Sequence, residues 1–232
     1  MNVLGIETAT TVCAAALAID DAVVAEESRE ERYIHAEMLL PMLDAVLRRS
    51  GCRPGDLAGV AVSIGPGSFT GLRIGLSVAK GLAFAADLPI AAVPTLRALA
   101  QRVAGLHDTQ EHILAVLDAR RDEVYYQLFR RSHSGLEQLG EEQSAPVDRL
   151  VERIGDRAVT VTGEGAPKLA AQLQRRSREG KRGRYHFADG ALAKCSAGTV
   201  ALIGASHLRE GRSEDPASLE PRYVSEFFTP QR

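Results

Sequence analysis

The chain has 232 residues, enough for one large domain or two modest ones with an ample core. It is 45% hydrophobic and 25% charged, with a formal net charge of -2, which is ordinary for a soluble globular protein and argues against a surface that coats nucleic acid. It has no Trp and few aromatic residues, which disfavours a stacking platform for single strands. Cys13, Cys52 and Cys195 share no C-x-x-C spacing and indicate reduced thiols.

The apolar segments of the chain do not match a membrane span or an export signal. No uninterrupted apolar run approaches the roughly 18 residues that span a bilayer. The apolar stretch Val12–Ile19 imitates part of a signal peptide, but Glu7 precedes it and no basic segment opens the chain. The sequence therefore predicts a cytoplasmic protein that does not associate with a membrane.

The first hundred residues predict the order β-β-β-α-β-α-β-α, a mixed sheet with helices packed on it. The predicted strands are Val3–Ile6, Thr11–Ile19, Ala22–Ser28, Leu57–Ile64 and Leu88–Val93, and the predicted helices are Ile34–Arg49, Ser68–Ala85 and Thr95–Val103. Pro41 lies inside the first helix, so a kink or a restart is expected there. His35 in its first turn has no second His one turn on, which favours a capping or partner-facing role over a metal ligand.

The stretch Ser63–Gly81 holds the most informative pattern of the chain. A strand runs into Gly65-Pro66-Gly67, and Ser68 then caps a helix whose first N–H groups suit a phosphate. The loop is neither a Walker A motif nor a dinucleotide fingerprint, because Lys80 lies far down the helix and Gly71 comes one place late. Two interpretations stay open at this point, a phosphate site and a tight turn before a closely packed helix.

After Gly105 the order of elements partly repeats. The predicted strands are Ile113–Leu117, Glu123–Phe129 and Ala158–Val161, and the predicted helices are Ala166–Leu173 and Thr199–Leu208. Asp118 ends a strand as Glu7 does, but Gly163-Glu164-Gly165 puts an acid where a phosphate would lie. We therefore predict two related units, 1–105 and 106–232, with a terminal segment that can pack back on the first. The basic run Arg175–Arg184 is interpreted as a solvated loop rather than an RNA contact.

Three stretches together resemble the TsaB (YeaZ) family, bacterial partners needed to make threonylcarbamoyladenosine in tRNA. They are 6–12 (IETATTV), 35–43 (HAEMLLPML) and 65–75 (GPGSFTGLRIG). The similarity covers the first 105 residues closely and the rest by the order of elements. It implies the α/β fold of the actin-like ATPases (ASKHA), in which two related lobes each have a mixed sheet flanked by helices.

The same superfamily includes TsaD, which transfers the threonylcarbamoyl group and holds a metal with two histidines. The matching positions fall near Thr95 and Leu99, and neither side chain is an imidazole or a carboxylate. The resemblance therefore implies a scaffold or activator without catalytic residues or a metal site. It would work with a TsaD-like transferase and a TsaE-like ATPase and reach tRNA through that complex. The alternative is an independent ATP-dependent phosphotransferase, although no motif places its base.

Two sets of site residues follow from this resemblance. At most a weak or vestigial phosphate site is expected, made by Glu7, Thr8, Gly65, Gly67 and Ser68. No cofactor is expected on this chain alone, with ATP or ADP on the partner subunits. A partner surface is expected on the helices Ile34–Arg49 and Ser68–Ala85. Its predicted residues are His35, Met38, Met42, Gly71, Arg73, Ile74, Gly75, Ser77 and Val78.

This partner surface is expected because of the residue types that the two helices carry. Met repacks easily against a partner, and Gly71 and Gly75 are small enough to let a partner helix approach closely. The same surface would make a homodimer when the partner is missing, through a two-fold contact.

Overall fold

The computed structural model describes residues 1–31, 33–106, 110–133, 135–178 and 184–224. Its first half contains β1 Asn2–Glu7, β2 Val12–Ile19, β3 Ala22–Glu30, α1 His35–Ser50, β4 Gly59–Gly65, α2 Phe69–Ala86, β5 Ile90–Pro94 and α3 Thr95–Ala104. Its second half contains β6 His112–Asp118, β7 Glu123–Ser132, β8 Gly135–Gln138, β9 Gln143–Pro146, α4 Val147–Ile154, β10 Val159–Thr162, α5 Ala166–Arg178, β11 Tyr185–Phe187 and α6 Ala197–Arg209. Residues 179–183 of the predicted basic loop Arg175–Arg184 lie outside the described residues, and its first four residues belong to α5, so the loop prediction is wrong for them.

The two halves build mixed sheets with the same connectivity. The first sheet has the order β3-β2-β1-β4-β5, and the second has the order β8-β7-β6-β10-β11, with β9 added on β7. In each, the first strand pairs antiparallel with the second and parallel with the strand that follows the next helix. The internal repeat that the sequence indicated is therefore a repeat of topology, and each sheet with its helices forms one lobe.

The third helix of each half covers the sheet of the other half. Helix α6 packs on the first sheet, where Val200 joins a buried cluster with Val3. Helix α3 packs on the second sheet, where Leu99 joins a buried cluster with Phe129. A division of the chain between residues 105 and 106 separates both helices from the sheets that they cover.

The outer faces of the two sheets are covered by α1 with α2 and by α4 with α5. Helix α1 runs through Pro41 without interruption, so the expected restart at this residue is wrong. Pro41 is exposed, and water can therefore satisfy the helical carbonyl that its missing N–H leaves unbonded.

Helix α2 is the one helix of the described residues whose length and mean hydropathy, 1.2 over 18 residues, would suit a membrane span. Arg73 and Lys80 interrupt its apolar run, so it contains no uninterrupted apolar segment of that length. Its buried residues include Leu72, Leu76 and Ala83, which face the interior as in the core helix of a soluble protein. The cytoplasmic location stays a prediction.

Candidate functional site

The turn after β1 lies directly on the glycine loop after β4. Because β1 and β4 are parallel neighbours, their ends carry the two segments to the same edge of the sheet. The backbone N–H of Ser68 donates to the carbonyl of Ala9 at 2.7 Å, and the hydroxyl of Thr8 donates to the carbonyl of Gly71 at 2.8 Å. The structure thus brings together the residues predicted for a phosphate site.

Three positions of this region require glycine because the turn after β1 packs directly against them. A Cβ at Gly67 would overlap the carbonyl oxygen of Ala9, and a Cβ at Gly71 would overlap that of Thr8. A Cβ at Gly75 would overlap the hydroxyl of Thr8. Gly71 and Gly75 are therefore buried against the chain's own turn, and the expectation that they admit a partner helix is wrong for both.

Hydrogen bonds within the chain occupy part of the donors that a phosphate would use. Besides the bond from Ser68 to Ala9, the N–H of Gly71 donates to the Ser68 hydroxyl at 3.2 Å and the N–H of Leu72 donates to the Ser68 carbonyl at 2.9 Å. The carbonyl of Ala9 also lies where an anion would approach the helix. This bonding favours the interpretation as a tight turn, and the weak phosphate site stays a prediction.

Glu7 is fully buried at the end of β1. One carboxyl oxygen accepts a hydrogen bond from the N–H of Ala9 at 2.6 Å, while the other has no partner among the described residues. Burial raises the pKa of Glu7 to about 7. The hydrogen bond from Ala9 and the nearby Ser63 hydroxyl oppose this rise, and the nearby Glu164 carboxylate adds to it. Glu7 therefore exchanges its proton near neutral pH rather than near pH 4.5.

His35 also faces this turn. Its side chain is buried, and Nε2 lies 3.1 Å from the carbonyl oxygen of Thr10, to which it donates in the Nε2–H tautomer. The N-cap position of α1 is Ile34, without a side-chain cap. The predicted capping or partner-facing role of His35 is therefore wrong, since the ring anchors α1 to the turn after β1.

A cleft of about 1,100 Å³ separates the two lobes at this edge. The first lobe contributes Thr10, Thr11, His35 and the first turn of α2, and the second contributes Asp118, Arg120, Glu123, Tyr125 and Glu164. The hydroxyl of Thr11 donates to Glu164 at 3.0 Å across the cleft, and Lys168 pairs with Asp118 at 2.5 Å. Of the residues from the second lobe, the sequence indicates Asp118, as the counterpart of Glu7, and Glu164, in the place of a second phosphate loop. The others meet through tertiary structure alone.

The predicted partner surface is only partly on the outside. His35, Met42, Gly71 and Gly75 are buried, whereas Arg73 and Ser77 are exposed and Met38, Ile74 and Val78 are half-buried. The large apolar side chains that protrude most from α1 and α2 are Leu40, 58% exposed, and Phe84, 90% exposed. Neither was predicted, although positions 73, 77, 81 and 84 repeat with helical period on one face of α2.

Comparison with known proteins places this architecture among its relatives. A family model described as TsaD, tRNA N6-adenosine threonylcarbamoyltransferase, matches residues 28–220. The tRNA threonylcarbamoyladenosine biosynthesis protein TsaB of Escherichia coli K12 is 34% identical over 231 residues, covering 97% of this chain and 94% of that protein. The structure of YeaZ from Pseudomonas aeruginosa superposes with a TM-score of 0.79 at 26% identity, covering 96% of this chain and 99% of the other.

A more distant structure shares the fold alone. The activator of the 2-hydroxyisocaproyl-CoA dehydratase from Clostridium difficile, solved with bound ADPNP, has a TM-score of 0.54 at 12% identity, covering 91% of this chain and 97% of that one. This structural similarity and the matching connectivity of the two sheets confirm the predicted actin-like ATPase fold. Since the E. coli relative matches nearly the whole chain, the chain belongs to the TsaB (YeaZ) family.

Proposed function

We propose that this chain is the non-catalytic scaffold or activator subunit that works with a TsaD-like transferase and a TsaE-like ATPase. Together they would threonylcarbamoylate the adenosine next to the anticodon in tRNA. The observation that carries the proposal is the match over 97% of the chain to an E. coli protein named for threonylcarbamoyladenosine biosynthesis. The family model for the transferase itself also matches residues 28–220, as expected for a paralogue of the catalytic subunit.

The residues at the expected metal positions support a non-catalytic role. The hydroxyl of Thr95 accepts a hydrogen bond from the N–H of Gly65 at 3.2 Å, and Leu99 is fully buried in the core between α3 and the second sheet. Within the described ranges, no three His, Cys, Asp or Glu side chains form a group that could hold a metal. The metal-dependent transfer is therefore assigned to the partner.

The bonding of the glycine loop argues against the phosphotransferase alternative. The N–H groups of Ser68 and Gly71 already have acceptors within the chain, and Asp118 already pairs with Lys168. A kinase of this fold needs free donors for phosphate and acidic groups for Mg²⁺. We infer that nucleotide acts on the partner subunits.

The partner is proposed to dock on the outward face of α1 and α2, defined by Met38, Leu40, Arg73, Ile74, Ser77, Val78 and Phe84. Leu40 and Phe84 supply exposed apolar area, and Arg73 supplies a charge at its rim. Because the chain matches the transferase family model, the partner presents equivalent helices, which permits a pseudo-two-fold contact. A homodimer through the same face is proposed for the chain without its partner.

Reconstitution tests the function. The chain, a TsaD-like transferase and a TsaE-like ATPase are combined with tRNA and a source of the threonylcarbamoyl group, and modified adenosine is measured by mass spectrometry. Omitting this chain should abolish modification, and adding it back should restore it. Equal modification without the chain would contradict the proposal, as would steady ATP hydrolysis by the chain alone.

Capture of the transferase tests the surface. Leu40→Asp and Phe84→Asp should each weaken capture at least tenfold, because a charge would be buried at the contact. Val24→Asp is the matched control, since Val24 is 48% exposed but lies on the edge strand β3. Thermal unfolding of all three variants checks that they are folded. Capture at wild-type strength by both helix variants would place the docking surface elsewhere.

A further inference from the structure

After α6 the chain returns to the glycine loop of the first lobe. Leu219 is buried in the core beneath α1 and α2, and the N–H of Arg222 donates to the carbonyl of Ile64 at 2.6 Å. Gly65 has a φ of +116°, and a Cβ at this residue would overlap the carbonyl oxygen of Arg222. The glycine therefore serves the close approach of the C-terminal segment as well as the turn.

The next residue adds side-chain contacts to the first lobe. The ring of Tyr223 stacks on Phe69 with 5.3 Å between centroids and an interplanar angle of 29°. The guanidinium of Arg73 lies 4.0 Å from the centre of the Phe69 ring, and its Nε donates to the Tyr223 hydroxyl at 3.3 Å. The backbone bond of Arg222, the stacked ring of Tyr223 and the guanidinium of Arg73 together hold this segment against the start of α2.

The same segment also reaches the second lobe. The guanidinium of Arg222 lies 3.4 Å from a carboxylate oxygen of Glu142, which belongs to the connection between β8 and β9. The Glu142 side chain is almost wholly buried, and its other oxygen has no partner among the described residues. Arg222 is thus the one cation within bonding distance of this carboxylate in the described chain.

We propose that residues Leu219–Tyr223, named here the strap, tie the second lobe to the glycine loop and limit how far the cleft opens. The strap is attached more firmly to the first lobe than to the second. Its attachment to the first lobe uses a buried side chain, a backbone bond and a stacked ring. Its attachment to the second, within the part of the chain that the structure describes, is the ion pair of Arg222 with Glu142. Release therefore occurs at Glu142 while the strap stays on the first lobe.

The position of the strap explains why it acts on the cleft. Helices α3 and α6 join the lobes along the faces of the two sheets, but Tyr223 itself lines the cleft between them. A contact at the rim controls access, as lids and closing loops do in other proteins.

A charge swap in the full-length chain tests the strap. Glu142→Arg should repel Arg222 and release the second lobe, and the double variant Glu142→Arg with Arg222→Glu should restore the pair. Glu141→Arg is the matched control, because Glu141 is the exposed neighbour on the same connection. Opening is measured as the distance between spin labels on Cys52, in the first lobe, and on Arg149→Cys, on α4 of the second. Cys13 and Cys195 are buried and stay unlabelled under native conditions.

Glu142→Arg should shift the distances to longer values and broaden them, while the control and the charge-swapped variant should match the wild type. Hydrogen exchange at the amide of Arg222 should stay slow in all of them, because its bond to Ile64 is kept. Glu142→Gln provides a milder break if the arginine variant does not fold. Unchanged distances in both Glu142 variants would overturn the proposal, and so would a shift of equal size in the Glu141 control.

Discussion

At the scale of single residues, Glu7 makes stability depend on pH in an unusual direction. Its pKa is about 7 in the folded chain and 4.5 when unperturbed, so the folded state binds the proton more tightly. Between these two values the free energy of unfolding should therefore fall as pH rises. The loss amounts to about 3 kcal/mol at pH 8 relative to pH 4 from this group alone.

Glu7→Gln should remove that dependence, because a neutral amide of the same shape still accepts the bond from Ala9. Urea unfolding of wild type and variant at pH 5 and at pH 8 measures the effect. The variant should gain more stability at pH 8 than at pH 5. Glu111→Gln, at an exposed carboxyl, serves as the control and should follow the wild type. Parallel pH profiles for Glu7→Gln and wild type would contradict the assignment.

Gly75 and Gly81 lie on the same helix and should respond oppositely to one methyl group. At Gly75 a Cβ would overlap the Thr8 hydroxyl, so Gly75→Ala should destabilise the chain by about 1–3 kcal/mol. At Gly81 the space is open, and Gly81→Ala should stabilise it by up to about 1 kcal/mol through helix propensity. Urea midpoints of the two variants decide this. Equal and small effects would mean that the Thr8 turn yields without cost.

At the scale of elements, the first turn of α6 is hydrogen-bonded to a strand that is far away in sequence. The carboxylate of Glu26 on β3 accepts from the Ser196 hydroxyl at 2.9 Å and from the N–H of Gly198 at 3.2 Å. A carboxylate at this end of a helix also interacts favourably with its dipole. Strand β3 thus holds the first turn of the helix that covers the first sheet.

Glu26→Ala should therefore cost about 1–2 kcal/mol of stability, the usual range for a lost cap. Glu27→Ala is the matched control, because Glu27 makes an ion pair with Arg49 on the surface and should matter by less than about 1 kcal/mol. Denaturant unfolding compares them. If both variants lose the same small amount, Glu26 does not hold the helix.

Elements with a strong pattern and a clear boundary signal were predictable. Helix α2 was placed within one residue at each end, because Ser68 caps it and its apolar residues repeat with helical period. Helix α4 was missed although Val147, Leu150, Val151 and Ile154 have the right spacing. It has eight residues and no side-chain cap, so packing rather than local preference stabilises it. The short strands β8, β9 and β11 were missed for the same reason.

The candidate site was predictable only in part. The nearness of Glu7 to the glycine loop was implied by the resemblance, because equivalent turns adjoin in the actin-like fold, and the parallel pairing of β1 with β4 produces it here. The direction in which Gly71 and Gly75 face could not be predicted. A row of small residues on a helix has the same sequence pattern whether the space beside it is filled by Thr8 or by a partner. The sequence indicates that the terminal segment can pack back on the first lobe, but not that Tyr223 lies in the cleft. That position depends on contacts over some 150 residues of sequence, such as its bond to Arg73.

At the scale of the whole molecule, the exchange of α3 and α6 should make the two lobes unfold together. Each sheet depends on a helix from the other half, so loss of one lobe exposes the core of the other. Hydrogen exchange in urea, read separately on β1–β2 and on β6–β7, should give coincident midpoints. Two transitions separated by more than the error of the midpoints would show that the lobes unfold independently.

The late position of α6 also has a consequence during synthesis. The face of the first sheet that carries Val3, Ala61 and Val93 is covered by a helix that begins only at Ala197. Roughly 90 residues separate the end of α3 from that point, which takes about 5–20 s at ribosomal speed. During that interval one apolar face of the first sheet is exposed on the nascent chain. We expect it to be a client of ribosome-associated chaperones until α6 emerges.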